Sequence, residues 1–256
     1  MLAVLLHPPF SVLPSPFSLA GTHPGGFDRR LAAEPASGHL PPMSDPSWPN
    51  LTILDHPLIQ HKLTLLRDRG TSTRDFKQLV GEIAMLMAYE VTKDLPTEEA
   101  EVETPLERMT GRMVSDKKLT LVPILRAGLG MVDGVAQLLP TARVGHIGLA
   151  RDETSLEAVR YYTKLPGAER DRDFFVLDPM LATGGSATAA VTTLKAAGAR
   201  RIRFLCIVAA PPGVRRMLEG HPDVPVFAAA LDRELNASGF ILPGLGDAGD
   251  RLFGTQ

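Results

Sequence analysis

Residues 174–188 read Phe174-Phe-Val-Leu-Asp-Pro-Met-Leu-Ala-Thr-Gly-Gly-Ser-Ala-Thr188. The apolar run Phe174 to Leu177 has the length and composition of a buried strand. It ends in an acid, Asp178. A loop of small and hydroxyl residues follows, Ala182, Thr183, Gly184, Gly185 and Ser186, and then a helix-like run from Ala187 to Ala197. Such a connection suits a phosphorylated ligand. Glycines admit close backbone approach, the N–H groups at a helix start attract an anion, and hydroxyls add donors. An ordinary strand–turn–helix connection is the plainer reading of the same residues. A Walker loop is excluded, because no Lys follows Gly184 or Gly185. The acid ahead of the loop points instead to a sugar hydroxyl or a metal beside the phosphate.

Outward from this stretch, strands and helices alternate. Leu119 to Leu125, Arg143 to Leu149, Asp173 to Asp178, Arg201 to Ala210 and Val224 to Leu231 read as strands. Gly128 to Leu139 and the short run Gly213 to Leu218 read as helices between them. Residues 151–172 are polar and irregular, and predict a long loop or hairpin. Near-continuous apolar strands separated by helices imply a central, mostly parallel sheet covered on both faces. Ligands then bind beyond the C-terminal strand ends, where Arg126, Arg151 and Asp178 to Ser186 fall. Upstream, Phe76, Leu79, Val80, Ile83 and Met87 recur at helical spacing over 73–93, with Ser72 or Thr73 as cap. The acidic segment 95–110 predicts a solvated loop or helix face.

Composition bounds the rest. The chain has 256 residues, 44% apolar and 22% charged, enough for one sizeable α/β domain. Its net charge of −2 argues against a nucleic-acid binder. The single cysteine, Cys206, excludes an internal disulfide framework and sits in a buried-strand pattern. No apolar run reaches the roughly 18–20 residues of a membrane span. Residues 1–50 hold ten of the 22 prolines and no periodicity. They read as a disordered extension without a signal peptide, and Met43 is an alternative start. His56, His61, His146 and His221 read as structural or surface residues.

The tail runs Gly239-Phe-Ile-Leu-Pro-Gly-Leu-Gly-Asp-Ala-Gly-Asp-Arg-Leu-Phe-Gly254. Its Gly-x-Gly-x-x-Gly is not a dinucleotide fingerprint, since no downstream strand–helix unit follows. Gly128-Leu-Gly130 follows a strand but lacks the third glycine. Together, three segments resemble the uracil phosphoribosyltransferases, type I phosphoribosyltransferases that use phosphoribosyl diphosphate (PRPP). Asp178 to Ser186 resembles the PRPP motif, Val122 to Gly130 the pyrophosphate loop, and Phe240 to Arg251 the C-terminal uracil hood. The resemblance covers about 51–256, with the hood at about 232–256. Asp178 followed by Pro179, rather than by a second acid, fits the uracil enzymes and not the purine ones.

The resemblance implies transfer of phosphoribose from PRPP to uracil, giving UMP and pyrophosphate, with Mg²⁺ as cofactor. PRPP would be held by Arg126, Arg151, Asp247 and the segment Asp178, Pro179, Met180, Leu181, Ala182, Thr183, Gly184, Gly185 and Ser186. Uracil would be read by Ile241, Gly246, Asp247 and Ala248. Catalysis would rest on Arg126 and Asp247. No direct metal ligand is implied: Mg²⁺ would arrive on PRPP and touch Asp178 or Asp247 through water. The family also implies a cytoplasmic homo-oligomer, dimer or tetramer, and GTP as an activator in some members. The alternatives are a phosphoribosyltransferase for another base, a PRPP-binding regulator, and a nicotinamide dehydrogenase resting on Gly128 and Gly130.

Overall fold

Short apolar strands alternate with amphipathic helices from Leu51 onward. The computed structural model describes residues 48–114, 118–151, 158–167 and 172–255, with backbone only at Arg151 and Ala158. In chain order the elements are β1 (Leu51–Ile53), α1 (Pro57–Arg67), α2 (Thr73–Val91), β2 (Thr97–Glu103), β3 (Arg108–Val114), β4 (Leu119–Leu125), α3 (Leu129–Leu138), β5 (Arg143–Val144), β6 (His146–Arg151), β7 (Ala158–Lys164), β8 (Asp173–Leu177), β9 (Met180–Leu181), α4 (Gly185–Ala196), β10 (Arg201–Ala209), α5 (Pro211–Gly220), β11 (Val226–Leu231), β12 (Glu234–Leu235), β13 (Ile241–Leu242) and α6 (Ala248–Phe253). Of the proline-rich extension, residues 1–47 lie outside the described residues.

The main sheet runs β1-β11-β10-β8-β4-β6-β7, with β5 beside β4 and β9 beside β10. All its pairs are parallel except β6 with β7. Side chains alternate across it, as a strand's period of two requires. Leu121, Phe175, Leu177, Leu205 and Ile207 face a core filled by α1, α2, α3 and α6. Val122, Phe174, Val176, Phe204 and Cys206 face one filled by α4 and α5. The fold is therefore the expected helix-covered, mostly parallel α/β sheet. After β4 the chain passes to β6 on one side, and β8 returns on the other. This makes the β4–β8 edge a topological switch point, where ligands bind in such sheets.

Ser72 caps α2, its Oγ accepting from Asp75 N at 3.2 Å. The stripe Phe76, Val80, Ile83, Met87 is wholly buried. Helices α2 and α3 cross where two glycines meet: a Cβ on Gly134 would fall 1.9 Å from Gly81 O. Gly134→Ala should push the helices apart and cost at least about 1–3 kcal/mol, read as a lower midpoint in denaturant unfolding.

Residues 151–172 hold the β7 arm of a hairpin with β6, as one of the two expectations had it, and 152–157 and 168–171 lie outside the described residues. The acidic segment is neither loop nor helix face but a two-stranded hairpin. Glu99 stands opposite Arg112 and Glu103 opposite Arg108, while Thr110 Oγ1 donates to Glu101 at 2.8 Å. The acids of β2 stand across from basic and hydroxyl residues of β3, a strand that runs on to Val114, past the end of the acidic segment. Helix α1 is a further element the periodicity did not single out. It begins at Pro57, and His56 Nδ1 accepts from Leu58 N at 3.1 Å as its cap.

Candidate active site

Strand β8 ends at Leu177, and Asp178 follows at the sheet edge. Its own N–H donates to Leu205 O at 3.1 Å. Asp178 Oδ1 accepts from Met180 N at 3.3 Å. The residue is half-buried, and burial pushes its carboxyl up to about 7, with the Met180 N–H pulling the other way. Beneath it, burial and then the Asp178 charge hold the Cys206 thiol well above its ordinary range. Cys206 is a core residue, as its strand pattern predicts.

The loop beyond Asp178 is sewn to β10. Pro179 O accepts from Ile207 N and Val208 N, both at 3.0 Å, and Leu181 O accepts from Ala210 N at 2.9 Å. Gly184 then takes a left-handed conformation at φ 78°, and Gly185 opens α4 with no side-chain cap. The first N–H groups of this helix are thus left for a ligand, and the helix dipole favours an anion there. A Cβ on Gly184 would meet Gly213 O at 2.9 Å, and one on Gly213 would meet Ala182 O at 2.5 Å. Helix α5 thereby packs directly under the loop. It carries Arg216, whose Nη1 would lie 3.5 Å from a Cβ on Gly185. This guanidinium beside the helix start was not singled out from sequence, since nothing local links residue 216 to residue 185.

On the neighbouring strand, β4 runs into Arg126 through a cis Leu125–Arg126 peptide. A Cβ on Gly128 would fall 2.3 Å from Leu177 O, so only glycine lets this turn nest against β8. Arg126 reaches the tail: its Nη2 is 3.8 Å from an Asp250 oxygen, and its guanidinium carbon is 6.0 Å from the Phe253 ring centre. The Arg151 backbone ends β6 on the same sheet edge, paired with Ala158; its side chain lies outside the described residues.

The tail folds as a cap. Strands β12 and β13 pair antiparallel, and Leu242–Pro243 is cis. Gly244 and Gly246 adopt φ of 65° and 72°, and a Cβ on Gly244 would lie 2.1 Å from Ile241 O. Asp247 caps α6, its Oδ1 accepting from Asp250 N at 2.9 Å. Ile241 and Ala248 are buried, whereas Gly246 and Asp247 are exposed. Three charged residues that tie this cap down carried no role in the sequence reading. Arg67 pairs with the buried Asp232, and Arg251 lies 4.2 Å over Phe76. Asp232 did have a signal, because it follows strand β11 as Asp178 follows β8. Among the histidines, His56 is a cap, and His221 lies 3.1 Å from Thr188 O and 3.2 Å from Thr192 Oγ1; both are structural.

Residues 53–255 match the family model described as uracil phosphoribosyltransferase. A uracil phosphoribosyltransferase of Bacillus thuringiensis (strain Al Hakam) is 59% identical over 206 residues, covering 80% of this chain and 99% of the relative. One from Bacillus cereus (strain B4264) is 58% identical over the same length. Among solved structures, the AQ2163 protein of Aquifex aeolicus superposes with a TM-score of 0.78 at 36% identity, covering 80% of this chain and 99% of that one. The resemblance carried by three short segments therefore extends across residues 53–255, and the chain belongs to the uracil phosphoribosyltransferase family.

Proposed function

We propose that the chain transfers phosphoribose from PRPP to uracil, forming UMP and releasing pyrophosphate. Arg126 carries this reading, because it leaves the sheet edge beside the open α4 N-terminus and reaches the cap. A substrate with phosphate groups at two ends and a small flat acceptor needs that combination. The 5′-phosphate belongs on the N–H groups of Gly184 to Ser186 with the Thr183 hydroxyl. Arg216 adds a positive charge beside them. Asp178 takes the ribose hydroxyls, and Arg126 with Arg151 takes the diphosphate, where a guanidinium fork suits phosphate oxygens. Backbone groups of Ile241, Gly246 and Ala248 read uracil.

In the reaction uracil N1 gives up its proton and bonds to the anomeric carbon, while the bond from that carbon to the diphosphate oxygen breaks. The diphosphate leaves with the electron pair, the proton passing to it or to water. Positive charge develops on the sugar and negative charge on the leaving group, as in glycosyl transfer generally. Catalysis is then a matter of alignment and of stabilising the departing diphosphate. Among the described residues no three or more His, Cys, Asp or Glu gather as a metal cage. Lone carboxylates such as Asp178 and Asp247 fit Mg²⁺ that arrives on the substrate and keeps several of its waters. When bound, the ion screens the diphosphate charge. To the same reading belong a cytoplasmic homo-oligomer, dimer or tetramer, and GTP as an activator. Light scattering checks the first, and GTP added to the assay checks the second. No helix among the described residues is long and apolar enough to cross a membrane.

Purified protein with uracil, PRPP and Mg²⁺ is expected to form UMP. Binding of PRPP without UMP would return a regulator or an enzyme for another base. Asp178 supplies a second check. Its carboxyl titrates near 7 in the folded chain, against about 4 in an unfolded one. Its ionisation therefore opposes folding, not at all at low pH, increasingly between about 4 and 7, and fully above 7. Asp178→Asn should melt higher than the parent at pH 8, with a difference that vanishes near pH 4, while UMP formation falls. Melting curves at the two pH values decide it, and an equal shift at both would remove the argument.

A further inference from the structure

The segment that precedes the uracil-reading residues is held by charged groups from a distant part of the chain. Arg67, the last residue of α1, donates from Nη2 to Asp232 Oδ1 at 2.6 Å and from Nη1 to Asp232 Oδ2 at 2.8 Å. The same Nη1 donates to Gly244 O at 2.9 Å. Asp232 Oδ2 also accepts from Gly244 N at 2.9 Å, and the residue is 6% exposed. Both backbone polar groups of Gly244 are thus fixed by one ion pair. The next carbonyl, Leu245 O, accepts from Arg251 Nη1 at 2.9 Å. That same nitrogen donates to Leu66 O at 2.9 Å.

Residues 244 and 245 stand directly before Gly246, Asp247 and Ala248. Leu245 is seated in the core by its own side chain, 2% exposed, whereas Gly244 has no side chain to seat it. A cavity of about 390 Å³ opens beside them, lined among others by Arg67, Arg69, Thr71, Pro243 and Gly246. Gly244 sits at φ 65°, so its conformation comes from the hydrogen bonds around it and not from a side chain. The fork geometry matters as well as the charge, because three bonds leave one guanidinium in fixed directions, which an ammonium cannot reproduce.

We infer that Arg67 and Asp232 are positioning residues for the nucleobase: they set the Gly244 backbone so that the groups of Gly246 and Ala248 meet uracil. This rests on the uracil reading of the cap given above. The pair lies on the cap side, whereas the phosphate loop is held separately by β10. Losing the pair should therefore weaken uracil far more than PRPP, which meets the cap at Asp247 alone.

Two variants test this. Arg67→Gln removes the fork but leaves Asp232 buried without its partner, which by itself endangers folding. The double variant Arg67→Met with Asp232→Leu removes both charges together and avoids that penalty. Steady-state KM for uracil, PRPP binding by calorimetry and thermal melting are measured for both and for the parent. A displaced reading group should raise KM for uracil by about 10- to 100-fold, with PRPP affinity within about threefold. An unchanged KM for uracil in a folded double variant overturns the inference. So does a parallel loss of both substrates, or failure of both variants to fold, since either marks a general structural role. If the parent itself makes no UMP, the uracil reading fails first and takes this inference with it.

Discussion

Arg126→Ala is expected to lower kcat/KM for UMP formation by about 10²- to 10³-fold, the usual loss when one preorganised group facing a developing anion is removed. The side chain is more than half exposed, and its ion pair with Asp250 is loose at 3.8 Å. Its loss should therefore leave stability nearly unchanged. The backbone turn that delivers it is fixed by Gly128 nesting on Leu177 O, so the variant keeps the loop and loses only the guanidinium. The deficit should fall mainly in kcat, because charge on the diphosphate grows as the bond breaks. Arg126→Lys should recover part of it, since an ammonium supplies charge but not the fork. Steady-state kinetics with each substrate varied in turn, beside melting curves, measure this. Wild-type kcat in the alanine variant would remove Arg126 from the chemistry.

The second large effect is expected at Asp247, where two roles can be separated. Its carboxylate caps α6 through the bond to Asp250 N, and in the proposed reading it faces the substrates from the cap. Asparagine is as good a cap as aspartate, so Asp247→Asn removes the charge and keeps the helix start. Loss of a charged hydrogen-bond partner is worth about 1.5–3 kcal/mol, which is roughly a 10- to 150-fold loss in kcat/KM. Asp247→Ala should show that loss and also fall in stability by about 0.5–2 kcal/mol as the cap goes. If the asparagine variant keeps full activity while the alanine variant does not, Asp247 is a cap and nothing more.

The parts of this fold that the sequence makes legible are those whose causes are local. Phe174 to Ser186 declares a strand, an acid and a glycine-opened helix within 13 residues, and β8, the loop and α4 are there. The stripe from Phe76 to Met87 declares α2 by spacing alone. Arg126 and the tail were legible through their motifs. The hairpin of β2 and β3 was hidden because both strands are exposed on both faces and so lack the apolar alternation that marks a half-buried strand. The Arg67–Asp232 pair was hidden for a stronger reason: its members are 165 positions apart, and no periodicity reports such a meeting. Arg216 is of the same kind, brought to Gly185 by the packing of α5 under the loop.

The stitching of the phosphate loop to β10 has a consequence for the entropy of capture. A free glycine-rich segment would give up backbone freedom at every encounter, about 1–2 kcal/mol for each residue ordered. Here Pro179 O and Leu181 O are already bonded into the sheet, so that freedom is surrendered once, when the chain folds. In the proposed reading the donors of α4 are already directed, and the phosphate would meet a rigid seat whose attraction is not eroded by ordering.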